Sequence, residues 1–260
     1  MAFPRRVPTR SLCPMTVHPA LQRPVRWLRY EPLQGGNSGA YQVAVVPMTA
    51  EHVRYWHDHV QPIIDSQYEQ AGSPRETGDS YAGVRADVGW NWHVNFALAK
   101  WWNALRPAAD LTRRAVAWCL SVVGEEGQVP IGMLTAVPAY ASPFVGDDGK
   151  LGFVWYLSDA PAEHYVAVGM HRVTRVASAL LDIAIQTRLE LMGDASIFLH
   201  ADPRGGGKLL TFYEDKCGMT RLWDEKRISL VRSVKAGQYF AMVHEQALQF
   251  AARFDPLRAP

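Results

Sequence analysis

The segment from Arg172 to Gly193 carries the best helical pattern in the chain, and it constrains the fold more than any other stretch. Val173, Val176, Ala177, Leu180, Leu181 and Ala184 fall at i, i+3, i+4, i+7, i+8 and i+11. That spacing puts six apolar residues on one stripe of an α-helix, and the stripe has to be buried. The runs on either side, LGFVWYL (151–157) and SIFLHA (196–201), have the length and composition of strands. A helix between strands, with its stripe laid on them, is the repeating unit of an α/β fold.

The rest of the chain extends this pattern. YQVAVV (41–46) reads as a strand. Thr49, followed by Glu51, starts an amphipathic helix with Val53, Trp56, His57, Val60 and Ile64 on one side, and Pro62 is expected to bend or end its first part. Residues 71–89, rich in Gly, Ser, Asp and Pro, read as a long loop of the kind that often carries function. A second helix is predicted over about 90–106, with tryptophans at 90, 92, 101 and 102. AVAWCLSVV (115–123) and VPIGMLTAV (129–137) then form a hairpin around a turn at 124–127. Residues 141–150, with Asp147-Asp148-Gly149, read as a loop, and 158–170 as irregular. A short helix is predicted over about 206–217, ended by Gly218. ISLVRS (228–233) and YFAMV (239–243) are expected to pair as closing strands before a last helix over about 244–254. The order β-α-α-β-β-β-α-β-α-β-β predicts an α/β fold with a mixed, mostly antiparallel sheet flanked by helices.

At 260 residues and 48% hydrophobic, the chain can bury a sizeable core, which excludes wholesale disorder. No apolar run reaches the roughly 18 to 20 residues of a membrane helix, so no membrane role is expected. Charge is uneven. Residues 1–40 hold six arginines and one acid, Glu31, for +5, while 41–260 hold 21 basic and 24 acidic residues, for −3. A near-neutral body gives no sign of a nucleic-acid-binding field. The first 38 residues, with six prolines, are expected to be a basic, disordered arm, with structure beginning near Ala40 and a single domain over 39–260. An export signal or a nucleic-acid-binding arm is the competing reading of that segment. Cys13, Cys119 and Cys217 form no CxxC pair and are an odd number, which suggests reduced thiols and a cytoplasmic protein.

Two local sequences carry a resemblance. RVTRVASALLDIAI (172–185) looks like the motif Arg/Gln-x-x-Gly-x-Gly/Ala leading into a helix with a Leu-Leu pair, and LLTFYEDKCGM (209–219) is similar to a motif with Tyr on a short helix ahead of Gly-Phe. With the element order, they make about residues 40–243 resemble the GNAT acetyltransferase superfamily. The resemblance implies an N-acetyltransferase with acetyl-CoA as co-substrate, no metal, and a small-molecule or protein amine as acceptor. It implies that parting strands hold the pantetheine arm, with Tyr156 and Leu157 beside it, and that the loop Arg172, Val173, Thr174, Arg175, Val176, Ala177, with Ser178 in the first helical turn, holds the pyrophosphate. Free N–H groups and the dipole at a helix start favour an anion. Tyr213 would protonate the leaving thiolate. The base would come from a nearby loop, with Glu163 and His164 as candidates. His200 and Asp202, flanking the next strand's end, also border the expected cleft.

The sequence departs from the family pattern at definite places. Arg175 and Ala177 stand where the motif has Gly and Gly/Ala, Gly206 where it often has Asn, and Met219 where it has Phe. Gly218 follows Tyr213 at +5 rather than the commoner +4. These departures motivate a second reading: an inactive GNAT-fold binding or regulatory module acting through the Trp-rich helix, or a secreted bacterial effector. RGGGK (204–208) lacks the spacing of a phosphate loop, His52, His57 and His59 lack metal-ligand spacing, and no GxSxG occurs.

Overall fold

A computed structural model of the chain describes residues 18–31, 38–72, 83–125, 127–142, 149–223 and 237–258. The strands are β1 (Trp27–Tyr30), β2 (Gly39–Pro47), β3 (Tyr68–Glu69), β4 (Gly83–Val84), β5 (Val116–Gly124), β6 (Gly127–Ala141), β7 (Lys150–Asp159), β8 (Ile197–His200), β9 (Thr220–Leu222) and β10 (Tyr239–Met242). The helices are α1 (Ala50–Tyr55), α2 (Gln61–Gln67), α3 (Trp92–Ala104), α4 (Ala162–Ala167), α5 (Val176–Met192), α6 (Gly206–Thr211) and α7 (His244–Ala252). Eight strands form one sheet in the order β1-β2-β5-β6-β7-β8-β10-β9, and β3 and β4 pair separately. Within the eight, only β7 and β8 run parallel. The fold is thus α/β, with a mixed, mostly antiparallel sheet and helices on both faces.

Alternation along β6 separates the faces. On one face, a Cβ at Gly132 would sit 3.0 Å from Leu180 and 3.1 Å from Val176, so glycine lets α5 lie close on the sheet. On the other, Val137 packs in a cluster with Ala99 of α3, Phe153 and Phe198. Of the expected stripe, Val176, Leu180, Leu181 and Ala184 of α5 are buried and Ala177 is half-buried. Arg188, farther along α5, is buried yet fully employed. It donates to Asp194 at 2.9 Å, to the Lys150 carbonyl at 2.6 Å and to the Pro138 carbonyl. Those bonds tie the end of the helix to β6 and β7.

Regular structure begins before the expected Ala40. Residues 27–30 pair with 39–42, and Leu28 is buried. Alternation over four residues is too short to read against the surrounding arginines and prolines. Thr49 caps α1 as expected. The break expected at Pro62 takes a particular form: a π turn over Trp56–Val60, after which α2 restarts with Pro62 in its first turn, where no N–H is needed. Residues 158–170 are not wholly irregular, since they contain α4. ISLVRS and Asp147-Asp148 lie outside the described residues. The partner of β10 on that side is the short β9.

Candidate functional site

The parallel pair β7–β8 is brief. Gly152, Phe153 and Val154 oppose Ile197, Phe198 and Leu199, and there the pairing stops while β7 runs on to Asp159. A bulge accompanies the change. Thr135 of β6 opposes Tyr156, but the next residue, Ala136, opposes Val154, which leaves Trp155 as an extra residue in β7. A bulge sharpens local twist and re-aims the strand. Beyond Val154 the second half of β7 has no strand paired on that side, since β8 ends at His200, and this is the region where the sequence resemblance places a slot. Tyr156 and Leu157 lie on this stretch, half-buried. Tyr156 meets the edge of Trp90 at 5.2 Å.

The start of α5 differs from the sequence expectation in a useful way. The helix begins at Val176, not at Arg172, and Arg175 precedes it with φ 63° and ψ 22°. Among the described residues it is the one non-glycine residue with positive φ. This is a backbone conformation that glycine adopts freely and a side chain disfavours. Arg175 adopts it anyway and lays its guanidinium 5.1 Å from the centre of the Phe254 ring, just beyond α7. The residues before it turn to β1. The Thr174 N–H donates to the Arg29 carbonyl at 2.9 Å, the Glu31 N–H donates to the Arg172 carbonyl at 2.9 Å, and Val173 bridges Tyr30. Of the expected anion loop, 172–174 thus serve as a strand-like edge. Val176, Ala177 and Ser178 form the first turn of a 17-residue helix that no side chain caps. Arg172 is exposed, with Glu31 at 3.4 Å.

Tyr213 lies in a π turn, Phe212–Lys216, that follows α6. The Cys217 N–H reaches back five residues to the Phe212 carbonyl at 3.0 Å. The extra residue between Tyr213 and Gly218 is absorbed by this widened turn, a feature frequent at functional sites. Tyr213 is buried against Phe212 and Phe240. Burial first, then the influence of Cys217, Asp159 and Asp87, pushes its phenol well above the usual tyrosine range. It stays protonated at neutral pH and keeps a proton to donate. Cys217, also buried, is pushed up to about 12 by burial, against the nearby Arg253 charge and, to a smaller extent, Ser178 of the first α5 turn. Cys217 and Ser178 thus bring the end of the π turn near the start of α5.

A second group gathers at the end of β7. Arg85 donates to both carboxylate oxygens of Asp87, at 2.8 and 2.7 Å, to the Asp159 carbonyl at 2.7 Å and to its carboxylate at 3.1 Å. The Ser158 hydroxyl donates to Asp87 at 2.5 Å. Burial disfavours the charge on Arg85, but Asp87 and Asp159 more than offset it and hold the guanidinium above its usual value. Arg85 also lies 5.3 Å from the Tyr68 ring centre, and the Tyr68 hydroxyl donates to Glu163 at 2.9 Å. Burial, then Glu163, raises that phenol to about 12. On the side of the segment that follows β8, the Ala71 N–H donates to the Arg204 carbonyl at 2.8 Å, and a Cβ at Gly206, whose φ is +62°, would come within 3.2 Å of Ala71. Residues 68–72 and 83–88 therefore touch both the end of β7 and the segment that follows β8.

The two candidate bases separate. Glu163 joins the Tyr68 group. His164 turns into the core against Tyr55, and burial, with His59 adding to it, lowers its pKa to about 4, so it is neutral. LGFVWYL contains no carboxylate, but β7 extends two residues further and ends on one, Asp159. Asp159, Asp87, Arg85 and Tyr68 escaped the sequence reading. Ser158 and Asp159 close an apolar run and look like its boundary, and Arg85-x-Asp87 sits in a stretch that reads only as loop. Asp202 pairs with Arg204 at 2.6 Å. Among the described residues, no group of three or more His, Cys, Asp or Glu could hold a metal, and no helix is long and apolar enough to cross a membrane.

Two solved structures align with most of the chain. One is a "putative acetyltransferase" from T. thermophilus, at 12% identity, covering 88% of this chain and 96% of its own, with a TM-score of 0.43. Another "putative acetyltransferase" has 14% identity, 87% and 92% coverage, and a TM-score of 0.42. At that level of similarity neither supports an activity for this chain. No protein family and no curated protein matches it.

Proposed function

We propose that the chain is an acetyl-CoA-dependent N-acetyltransferase acting on an amine of a small molecule or a protein. The observation that supports the reading is the end of the β7–β8 pairing at Val154 and Leu199, beside the bulge at Trp155, which leaves the second half of β7 unpaired on that side in a chain whose uncapped α5 lies on the same strand. A narrow apolar arm fits beside an unpaired strand edge, and a negative group fits the helix start. The residues that would hold the co-substrate are the backbone N–H groups of Val176, Ala177 and Ser178, with Arg172 adding charge. Arg175 is engaged on Phe254. Acetyl-CoA supplies the activated acyl group.

The chain's own residues then have separable tasks. Tyr213, kept protonated, gives a proton to the departing sulfur. Asp159 ends β7 and Glu163 stands on α4, and either carboxylate can take the proton of the acceptor amine once its present partner, Arg85 or Tyr68, gives way. His164 is too deeply buried for that role. The second reading, a GNAT-like module without transfer activity, is favoured by one observation: the Arg85 group and the Ala71–Arg204 bond span the place where an arm would enter.

The test is release of CoA thiol from acetyl-CoA with a panel of polyamines, aminoglycoside-like amines and peptides, using wild type and Tyr213→Phe. Turnover that Tyr213→Phe lowers by about 10²-fold, the usual scale for loss of a positioned acid, supports the enzyme. Acetyl-CoA binding without turnover on any amine supports the inactive module.

A further inference from the structure

The ribbon β3–β4 pairs over only two residues a strand, Tyr68 with Gly83 and Glu69 with Val84. So short a pair is not stable alone, and it is held by what it lies against. At its base, Gln61 of α2 donates to the Asp87 carbonyl at 2.8 Å, the Gly89 N–H donates to Asp65 of α2 at 2.7 Å, and Gln70 donates to the Val88 carbonyl at 2.6 Å. Beyond the base it touches two edges that differ in strength. The edge on β7 is charged and shielded from water. Arg85 holds Asp87 together with the carbonyl and carboxylate of Asp159, and Ser158 donates to Asp87.

The edge on the segment that follows β8 is made differently. The Ala71 N–H donates to the Arg204 carbonyl at 2.8 Å. A Cβ at Gly206 would lie 3.2 Å from Ala71, and one at Gly205 3.2 Å from Ala86, so two consecutive glycines form a flat seat for small side chains. The Arg204 guanidinium turns away from the ribbon to Asp202, at 2.6 Å. Charge-assisted bonds out of water outweigh one backbone bond and a few methyl contacts. Local opening therefore starts at the Arg204 edge. We propose that residues 68–72 and 83–88 are a strap that swings about its Arg85 anchor on β7 and opens at its Arg204 edge, admitting a ligand to the unpaired half of β7. The identity of that ligand, though not the motion, rests on the acetyl-CoA reading above.

Two measurements on the whole protein test this. The first is amide hydrogen exchange by NMR on the wild type. The Ala71 N–H crosses the weak edge, whereas the Arg85 N–H stays inside the ribbon on the Glu69 carbonyl, at 2.9 Å. Protection at Ala71 is expected to be about tenfold or more below that at Arg85. Equal protection of the two overturns the proposal. The second is a lock, Ala71→Cys with Gly206→Cys in a Cys13→Ser background. Cβ atoms at 71 and 206 would lie 3.2 Å apart, a few tenths short of the ~3.5 Å at which a disulfide closes. CoA is titrated into the oxidised and the reduced forms, and the reduced form shows what residue 206 itself contributes. The oxidised form is expected to bind CoA at least about tenfold more weakly, since the open state is removed. Equal binding by the two forms overturns the strap and leaves the acetyl-CoA reading standing. Absence of binding by wild type and both forms sinks that reading instead, and the exchange at Ala71 then decides the strap by itself.

Discussion

Replacing Arg85 by Met leaves the loop's packing roughly filled but removes a guanidinium that is 17% exposed and clamps Asp87, itself 6% exposed. The two bonds to Asp87, at 2.8 and 2.7 Å, are charge-assisted and shielded from water. Asp159 is 39% exposed, so water can replace its share. Deleting one partner of a buried pair costs about 3–5 kcal/mol, because the other charge is left buried and unpaired. The residual access of water at Arg85 puts the expected loss near the lower end, about 3 kcal/mol. For a chain of this size that is roughly a 6–12 °C fall in Tm. Urea unfolding followed by circular dichroism gives the free energy directly. Arg85→Met with Asp87→Asn should recover more than half of the loss, since the neutral amide still accepts from Ser158 and no lone charge remains. A single substitution costing less than about 1 kcal/mol, the level of a surface pair, would refute the assignment. So would a double variant no more stable than the single one.

Two further outcomes follow from buried or strained groups. Burial raises the Asp182 carboxyl from 3.8 to about 6, against the pull of Arg258 at 2.6 Å. The native state thus holds that proton more tightly than the unfolded chain, so its contribution is complete below the unfolded value and fades as pH rises through the folded one. Stability of wild type relative to Asp182→Asn should fall by up to about 3 kcal/mol between roughly pH 4 and pH 6, and a flat difference in urea titrations across that range contradicts the burial argument. At Arg175, the left-handed backbone should make Arg175→Val at least about 1–2 kcal/mol less stable than Arg175→Gly; equal stabilities would mean that the turn relaxes.

What could be read from the sequence, and what could not, divides along physical lines. Long periodic elements were legible, because burial imposes their pattern: the α5 stripe, the β5–β6 hairpin and the capped start at Thr49 all appear where the residues indicate. Short elements were not. The strand Trp27–Tyr30 sits among arginines and prolines, and α4 spans six residues with no stripe to show. The helix start moved from Arg172 to Val176 because the stripe counts Val173 as helical, whereas its burial comes from bridging Tyr30. The candidate site was half legible. The motifs point to Tyr213 and to the segment entering α5, although the helix itself begins only at Val176. The one-residue excess before Gly218 is visible in the sequence, but its outcome, a π turn that seats Tyr213 against Phe240, depends on tertiary packing. Arg85 and Asp87 meet Asp159 through a contact between residues 74 apart in the chain, which no local pattern encodes.

The account rests on an anion site at the start of α5, and calorimetric titration of the whole protein with CoA tests it most directly. The account predicts saturable binding that Arg172→Ala weakens, because an exposed cation four residues ahead of the helix start is lost, and that Tyr213→Phe leaves intact. Absence of any heat up to millimolar CoA, in protein whose unfolding is cooperative, would contradict it.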